Sequence, residues 1–158
     1  MNWTRKLGDI EITTEFKDDL FVFGAPVRLE QVFINFISNA AEAVSAQGEG
    51  SGDGNGEKIA IQALLTEGPG RKCVEVHFID NGPGLSDTVK GSLFEPFVTT
   101  KDDQGVGLGL YISYKIIGNH GEEIVYDEDY KAGAHFIIRL PLDRRAEERI
   151  ELNLTPSP

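Results

Sequence analysis

Two glycine-rich segments constrain the fold of this chain more than any other feature of its sequence. The first, residues 80–84 (DNGPG), follows an apolar run, and the second, residues 105–110 (GVGLGL), opens into a helical pattern. Glycine lets backbone N–H groups approach phosphate oxygens closely, and the first N–H groups of a helix attract anions. One such run alone more often serves only a tight turn. Together with the polar residues around them, the two runs favour a phosphate-binding site.

The composition bounds the class of protein. A chain of 158 residues is long enough for one domain with a single core. The formal charge of −11 and the lack of Lys and Arg clusters argue against a surface that neutralises nucleic-acid phosphates. An acidic domain that binds a polyphosphate must rely on backbone dipoles and a divalent cation. We therefore expect no nucleic-acid partner.

The setting is predicted from cysteine usage and hydropathy. The single cysteine, Cys73, heads an alternating strand pattern and is expected to be a reduced, buried thiol, which suits a cytosolic protein. The sequence shows no signal peptide and no apolar run of about 18 residues. We expect a cytoplasmic domain without direct membrane contact, whose parent protein could itself be anchored in a membrane.

The apolar pattern predicts alternating strands and helices. A long helix over residues 27–44, with Pro26 in its first turn, buries a stripe made of Leu29, Val32, Phe33, Phe36, Ile37, Ala40 and Val44. A hairpin is predicted from residues 11–16 and 20–23 around Asp18 and Asp19. The other predicted elements are strands at 59–65 and 74–79, a short helix at 86–93, a helix at 108–117 closed by Gly118 or Gly121, and an antiparallel pair at 123–126 and 134–140. Residues 48–56 are predicted to be a flexible loop, and residues 143–158 a charged, frayed tail after a domain at residues 1–142.

Three polar residues are candidates for ligand contacts. Asn35 and Asn39 lie one helical turn apart, away from the apolar stripe, although asparagine is a mediocre helix former. They are either a solvated helix face or a pair that holds a metal-bound nucleotide, since Mg²⁺ accepts carboxamide oxygens beside waters and phosphates. Asp80 ends a predicted strand, where it either shapes a turn or accepts a hydrogen bond from the amine of a purine.

These motifs, in this order, resemble the ATP-binding catalytic domain of bacterial sensor histidine kinases, in the GHKL superfamily that also holds gyrase and mismatch-repair ATPases. Residues 35–40 (NFISNA) resemble the N box and residues 80–84 the first glycine box. Residues 94–97 (FEPF) resemble the F box, residues 98–104 the lid over the phosphates, and residues 105–110 the second glycine box. Residues 99–101 (TTK) resemble the short lid of the nitrogen-regulation and dicarboxylate-sensing kinases.

The resemblance implies a set of site residues. Asn39 would hold Mg²⁺, Asp80 would read adenine, and Asn35 and Lys101 would act in catalysis, with Lys101 at a terminal phosphate or else only a solvated loop lysine. Phe94 and Phe97 are expected to be core aromatics as well as hinges of the lid. The implied nucleotide-binding residues are Asn35, Asn39, Asp80, Gly82, Gly84, Leu93, Phe94, Lys101, Gly105, Gly107, Leu108, Gly109 and Ala134.

The chain also departs from the family pattern. Glu42 and Ala43 stand where many relatives carry Lys and an aromatic residue, Val106 replaces a hydroxyl residue, and Ala134 replaces a threonine that serves a water-mediated adenine contact. None of the three histidines, His77, His120 and His135, resembles a phosphoacceptor on a long dimerising helix.

The resemblance implies a two-layer α/β sandwich, a mixed and mostly antiparallel sheet with three helices on one face, of the Bergerat type. Its implied function is to bind Mg²⁺–ATP and to present the γ-phosphate to a histidine on a separate dimerisation domain, from which a response regulator takes the phosphoryl group. One alternative is a gyrase-type ATPase, disfavoured because Asn35 stands where those relatives carry a Glu base. Another is a nucleotide-binding signalling module without enzymatic activity.

Overall fold

The computed structural model describes residues 2–16, 20–46, 56–68, 70–98 and 107–143. Within them the chain forms a single mixed sheet with helices against it. The elements in chain order are β1 (Asn2–Leu7), β2 (Ile10–Phe16), α1 (Pro26–Ser45), β3 (Lys58–Gly68), β4 (Arg71–Asp80), α2 (Asp87–Lys90), α3 (Gly109–Asn119), β5 (Ile124–Tyr126) and β6 (His135–Pro141).

In the described residues the sheet has six strands in the order β1-β2-β3-β4-β6-β5. Among these strands only the β2–β3 pair is parallel, and α1 lies in the connection between the two, as a parallel pair requires. The other neighbours are antiparallel. This arrangement confirms the mixed, mostly antiparallel sheet of the predicted sandwich.

Helices α1 and α3 pack on one face of this sheet because each presents buried apolar residues to it, whereas the short α2 has no buried residue. In α1 the fully buried residues Leu29, Val32, Phe36, Ala40 and Val44 recur every three or four positions, as the sequence pattern predicts. The Phe36 ring lies 5.4 Å from that of Phe78 on β4 and 5.1 Å from that of Phe136 on β6. Ile116 and Ile117 of α3 join the same core.

One predicted element is wrong. Residues 11–16 do form a strand, β2, but its hairpin partner is β1, joined to it through Gly8 and Asp9, with Gly8 at a φ of 63°. Residues 20–23 form no strand with β2; their only ladder contact in the described part is the bridge between Val22 and Leu142. Two-residue turns with a positive φ at glycine are strong hairpin formers, and this local signal outweighs the apolar run after Phe16. The predicted turn at Asp18 and Asp19 lies outside the described residues.

The remaining elements confirm the predicted ones with shifted ends. Pro26 is the first residue of α1, and α3 runs through Gly118 and ends at Asn119. Gly121, at a φ of 73°, is therefore the glycine that closes α3. The short helix α2 is reduced to four residues, and β3 and β4 are longer than predicted. Residues 48–55 and 144–158, predicted as loop and tail, lie outside the described residues.

Cys73 is a free, buried thiol on β4, as predicted, and burial raises its pKa. In the part of the chain that the structure describes, no helix is both long and apolar enough to cross a membrane.

Candidate functional site

The carboxylate of Asp80 stands at the end of β4 and is 5% exposed. Its Oδ1 accepts two backbone hydrogen bonds, from the N–H of Gly82 at 2.8 Å and from that of Ala134 at 3.2 Å. No described residue donates to Oδ2. Burial raises the pKa of Asp80, and the two backbone hydrogen bonds oppose that shift. The carboxylate is thus held rigidly by one oxygen and has the other available as an acceptor.

Ala134, directly before β6, holds Asp80 through its backbone. Besides donating to the carboxylate, it accepts a hydrogen bond of 3.0 Å from the backbone N–H of Asp80 through its carbonyl. Its side chain is a buried methyl group. In this structure Ala134 positions the acidic group, and a direct contact of Ala134 with a ligand stays a prediction.

Three glycines allow the chain around Asp80 to pack closely. A Cβ on Gly82 would lie 2.9 Å from Asp80 Oδ1 and 3.1 Å from the Cβ of Ala43 on α1. A Cβ on Gly84 would lie 2.8 Å from the carbonyl oxygen of Gly133, and one on Gly133 would lie 1.9 Å from that of Asp80. The absence of side chains at Gly82 and Gly84 is therefore explained by protein packing. Their contact with a nucleotide stays a prediction.

The two candidate asparagines on α1 differ in their partners. Asn35 Nδ2 donates to the Oγ of Ser113 on α3, at 3.1 Å. The half-buried carboxamide of Asn39 makes no hydrogen bond to any described residue. An unengaged amide oxygen is available to a hard cation such as Mg²⁺, which binds few protein ligands and keeps waters and phosphates as the rest. Asn39 thus fits the metal-ligand role better than Asn35.

Helix α1 connects the two ends of the site. Asn35 abuts Gly109 at the start of α3, and Ala43, two turns later, abuts the turn after Asp80. These two points are about 12 Å apart along the helix, at 1.5 Å per residue. Asn39 lies halfway between them. A ligand lying along this line could reach the acceptor at Asp80, the amide of Asn39 and the beginning of α3.

The beginning of α3 is suited to an anion. No described side chain caps this helix, and its first turn holds no acidic residue. The first N–H groups of an α-helix have no partner within the helix and carry its positive dipole end. Leu108, Gly109 and the residues after them thus form the predicted turn–helix arrangement.

Phe97 and Gly107 lie on either side of the segment predicted as the lid. The N–H of Phe97 donates to the Gly107 carbonyl at 3.0 Å, and both residues have a positive φ, 68° and 67°. A Cβ on Gly107 would lie 2.7 Å from the backbone of Phe97. Phe97 is 71% exposed, so the expectation that it is a core aromatic is wrong. Phe94, in contrast, is partly buried, and its ring stacks on that of Tyr114 at 5.1 Å.

Residues 24–144 match the family model described as histidine kinase-, DNA gyrase B-, and HSP90-like ATPase. The chain belongs to this family. The match begins just before α1 and extends just past β6, so it includes every element that carries a candidate site residue.

Two curated relatives show the context of the family domain. The chain is 35% identical over 150 residues to sporulation kinase E of Bacillus subtilis, covering 94% of this chain and 19% of that protein. It is 40% identical over 123 residues to the C4-dicarboxylate transport sensor protein DctB of Rhizobium meliloti, covering 78% of this chain and 18% of that sensor. The chain therefore spans about a fifth of the length of these two relatives.

Two solved structures share the fold. The catalytic domain of histidine kinase ThkA aligns with a TM-score of 0.64 and 33% identity, over 84% of this chain and 78% of that one. Full-length ShkA in complex with AMPPNP aligns with a TM-score of 0.66 and 25% identity, over 84% of this chain and 26% of that one. These likenesses confirm the predicted sandwich and its assignment to histidine kinase catalytic domains.

Within this ATPase domain, the structure brings together Asn35, Asn39, Asp80, Gly109 and Ala134 along α1 and the adjoining ends of β4, β6 and α3. Leu93 is 6% exposed and belongs to the core. Its contact with a nucleotide stays a prediction. Lys101 and Gly105 lie outside the described residues, as does most of the predicted lid, residues 98–104. The described residues hold no group of three His, Cys, Asp or Glu side chains that could bind a metal.

The role of Ser113 was not recognised from the sequence. Ser113 is a polar residue in the buried stripe of α3, where a hydroxyl needs a partner, and this was the available signal. The three histidines lie where the sequence predicts them: His77 on β4, His135 on β6, and His120 directly after α3.

Proposed function

We propose that this chain is the catalytic domain of a sensor histidine kinase. It binds Mg²⁺–ATP and donates the γ-phosphate to a histidine on the dimerisation domain of its parent protein, from which a response regulator receives the phosphoryl group. ATP binding is supported by the family match and by the AMPPNP complex of the similar ShkA structure. The cytoplasm, where ATP is supplied, is the proposed location.

The observation that carries the proposal is the unengaged carboxamide of Asn39, halfway along α1 between the Asp80 carboxylate and the start of α3. Asp80 Oδ2 would accept a hydrogen bond from the adenine amine. The first N–H groups of α3 would bind phosphate oxygens, and Asn39 would hold Mg²⁺ against them. Lys101 is the cation that we propose for the terminal phosphate.

The bound Mg²⁺ would neutralise charge on the phosphates during transfer. The residues of this chain bind and orient: Asp80 fixes the base, and Asn39 and α3 fix the phosphates. In phosphoryl transfer this positioning, with electrostatic stabilisation, supplies most of the catalysis. The phosphorus–oxygen bond to ADP breaks as a bond to the acceptor imidazole nitrogen forms.

A gyrase-type ATPase is disfavoured by the environment of Asn35. A carboxamide cannot take a proton from water, and the Asn35 amide is already bonded to Ser113. The described residues next to it, Gly109 and Ser113, offer no carboxylate that could replace the missing base.

The test is transfer of radiolabelled γ-phosphate from ATP to a supplied dimerisation domain from a similar sensor kinase. We expect labelling of that domain by the wild-type chain, none by Asn39→Ala, and no labelling of the chain itself. ATP binding without transfer to any dimerisation domain tried would support a non-enzymatic nucleotide-binding module instead. Rapid ATP hydrolysis by the chain alone, abolished by Asn39→Ala, would support an ATPase.

A further inference from the structure

The side chain of Asn35 is confined by α3 on two sides. Its Nδ2 donates to Ser113 Oγ at 3.1 Å, and its Oδ1 occupies the space beside Gly109, where a Cβ would lie only 2.1 Å away. All three of the atoms nearest to that position belong to the Asn35 carboxamide. A side chain at Gly109 would therefore force the Asn35 carboxamide to move.

Ser113 is 2% exposed and lies in an otherwise apolar part of α3, together with the buried Ile116 and Ile117. Burying a hydroxyl is unfavourable unless it forms a hydrogen bond. Because Ser113 Oγ accepts from Nδ2, the carboxamide cannot rotate without breaking that bond. The Asn35 oxygen is thereby kept on the side of Gly109, the first residue of α3.

We propose that Ser113 is a positioning residue for the nucleotide site. It holds the Asn35 carboxamide so that Oδ1 faces the start of α3, one helical turn from Asn39, where the phosphates and their Mg²⁺ are proposed to lie. This inference rests on the proposed function. Ser113 touches no ligand in this account and acts only through Asn35, which it pre-organises for binding.

The test compares the affinities of the full chain for Mg²⁺–ATP and for adenosine, by calorimetry. Loss of one hydrogen bond that orients a ligand-binding group predicts that Ser113→Ala weakens Mg²⁺–ATP by roughly three- to tenfold. Adenosine, which would use only the end of the site at Asp80, should bind unchanged. Ser113→Thr, which keeps the hydroxyl, should stay within about twofold of wild type. Ser45→Ala, an exposed serine at the far end of α1, is the matched control.

A second variant, Gly109→Ala, changes the contact on the other side of Asn35. It is expected to displace the carboxamide and to weaken the binding of Mg²⁺–ATP more than that of adenosine, even if Ser113→Ala folds poorly. The double variant Asn35→Ala/Ser113→Ala should bind no more weakly than Asn35→Ala alone, because Ser113 would have nothing left to position.

The inference is overturned if Ser113→Ala and Gly109→Ala bind Mg²⁺–ATP as wild type does while Asn35→Ala does not. Equal losses for Mg²⁺–ATP and adenosine would mean that Ser113 is merely structural, and additive losses in the double variant would also contradict the inference. Wild-type chain that fails to bind Mg²⁺–ATP would instead overturn the proposed function, so the two failures are distinguishable.

Discussion

The two oxygens of the Asp80 carboxylate differ in their hydrogen bonds. Oδ1 accepts from two backbone N–H groups and Oδ2 from no described residue. A carboxylate oriented in this way can only accept, so it would select a ligand group that donates, such as the exocyclic amine of adenine. The carbonyl oxygen of guanine at the same place would meet another acceptor.

The first prediction follows from this asymmetry. Asp80→Asn can keep an oxygen on the N–H groups of Gly82 and Ala134 and place its NH₂ group where Oδ2 stood. ATP affinity should fall by about fivefold or more, since a mispaired buried polar group costs roughly 1–3 kcal/mol. The ratio of ATP affinity to GTP affinity should also decrease. Competition binding with both nucleotides measures this, and a thermal melt within a few degrees of wild type serves as control. An unchanged ratio would show that Asp80 does not read the base.

At this scale the sequence reveals some residues and not others. Asp80 and Asn39 are recognisable because a polar residue at a strand end, or in a helix, stands out locally. The hydrogen bond from the N–H of Ala134 to Asp80 could not be predicted in the same way. The two residues are 54 positions apart and meet only when β6 pairs with β4. The hydrogen bond between Ser113 and Asn35 could not be predicted either, because it also depends on long-range packing.

At the scale of elements, glycines allow α1, the end of β4 and the residues before β6 to pack in close contact. Gly133 combines a φ of 156° with a position where a Cβ would lie 1.9 Å from a backbone oxygen. Gly118, within α3, has open space around it and no positive φ. Substitution by alanine at these two positions should therefore have opposite effects on the stability of the fold.

The second prediction is that Gly133→Ala destabilises the fold by about 2–3 kcal/mol or more, because the backbone of β4 must shift. Gly118→Ala should stabilise it by roughly 0.5–1 kcal/mol through helix propensity and the unfolded-state entropy. Urea denaturation of both variants measures the difference. The close packing described here would be refuted by a Gly133→Ala variant as stable as wild type.

Elements with a strong internal period are the ones that the sequence predicts well. The stripe of α1 predicts its length and its buried face almost completely. The first hairpin is predicted wrongly because residues 4–7 of β1 are exposed and show no clear hydrophobic alternation. In the apolar run at residues 20–23, Leu20 and Val22 pack against the core, and Val22 forms a bridge with Leu142 instead of belonging to a strand.

At the scale of the whole molecule, the sheet has one face under the helices and a second face that carries polar side chains. On that second face His77 Nδ1 lies 2.9 Å from His135 Nε2, and His135 Nδ1 lies 2.9 Å from Asp127 Oδ2. His77 Nε2 is buried, 3.6 Å from Glu75 Oε2, and makes no hydrogen bond among the described residues. Burial, and then the neighbouring His135, lower the pKa of His77.

The third prediction concerns pH. Below the ordinary pKa of about 6.5, the unfolded chain binds a proton at His77 that the folded chain resists, so this residue makes the fold less stable as pH falls from 6.5 toward its lowered value. His77→Gln should flatten that part of the stability profile. Denaturation between pH 5 and pH 8 checks this. Since a net charge of −11 makes acidification relieve repulsion elsewhere, the comparison between variant and wild type is the informative quantity. Identical slopes would contradict the prediction.

The fold class and the family follow from the sequence because four short motifs occur in a fixed order along a chain of ordinary domain length. What no motif contains is the distance between Asp80 and the start of α3, which α1 sets. We propose that a nucleotide lies along that helix with its phosphates bound to Asn39 through Mg²⁺.

Calorimetric titration of the chain with ATP, with and without Mg²⁺, for wild type and Asn39→Ala, tests that claim most directly. We predict that Mg²⁺ strengthens ATP binding to the wild type by about tenfold or more, that Asn39→Ala loses most of this gain, and that adenosine binds both proteins equally. If ATP binds with the same affinity whether or not Mg²⁺ is present, or if Asn39→Ala weakens ATP and adenosine by the same factor, the claim is contradicted.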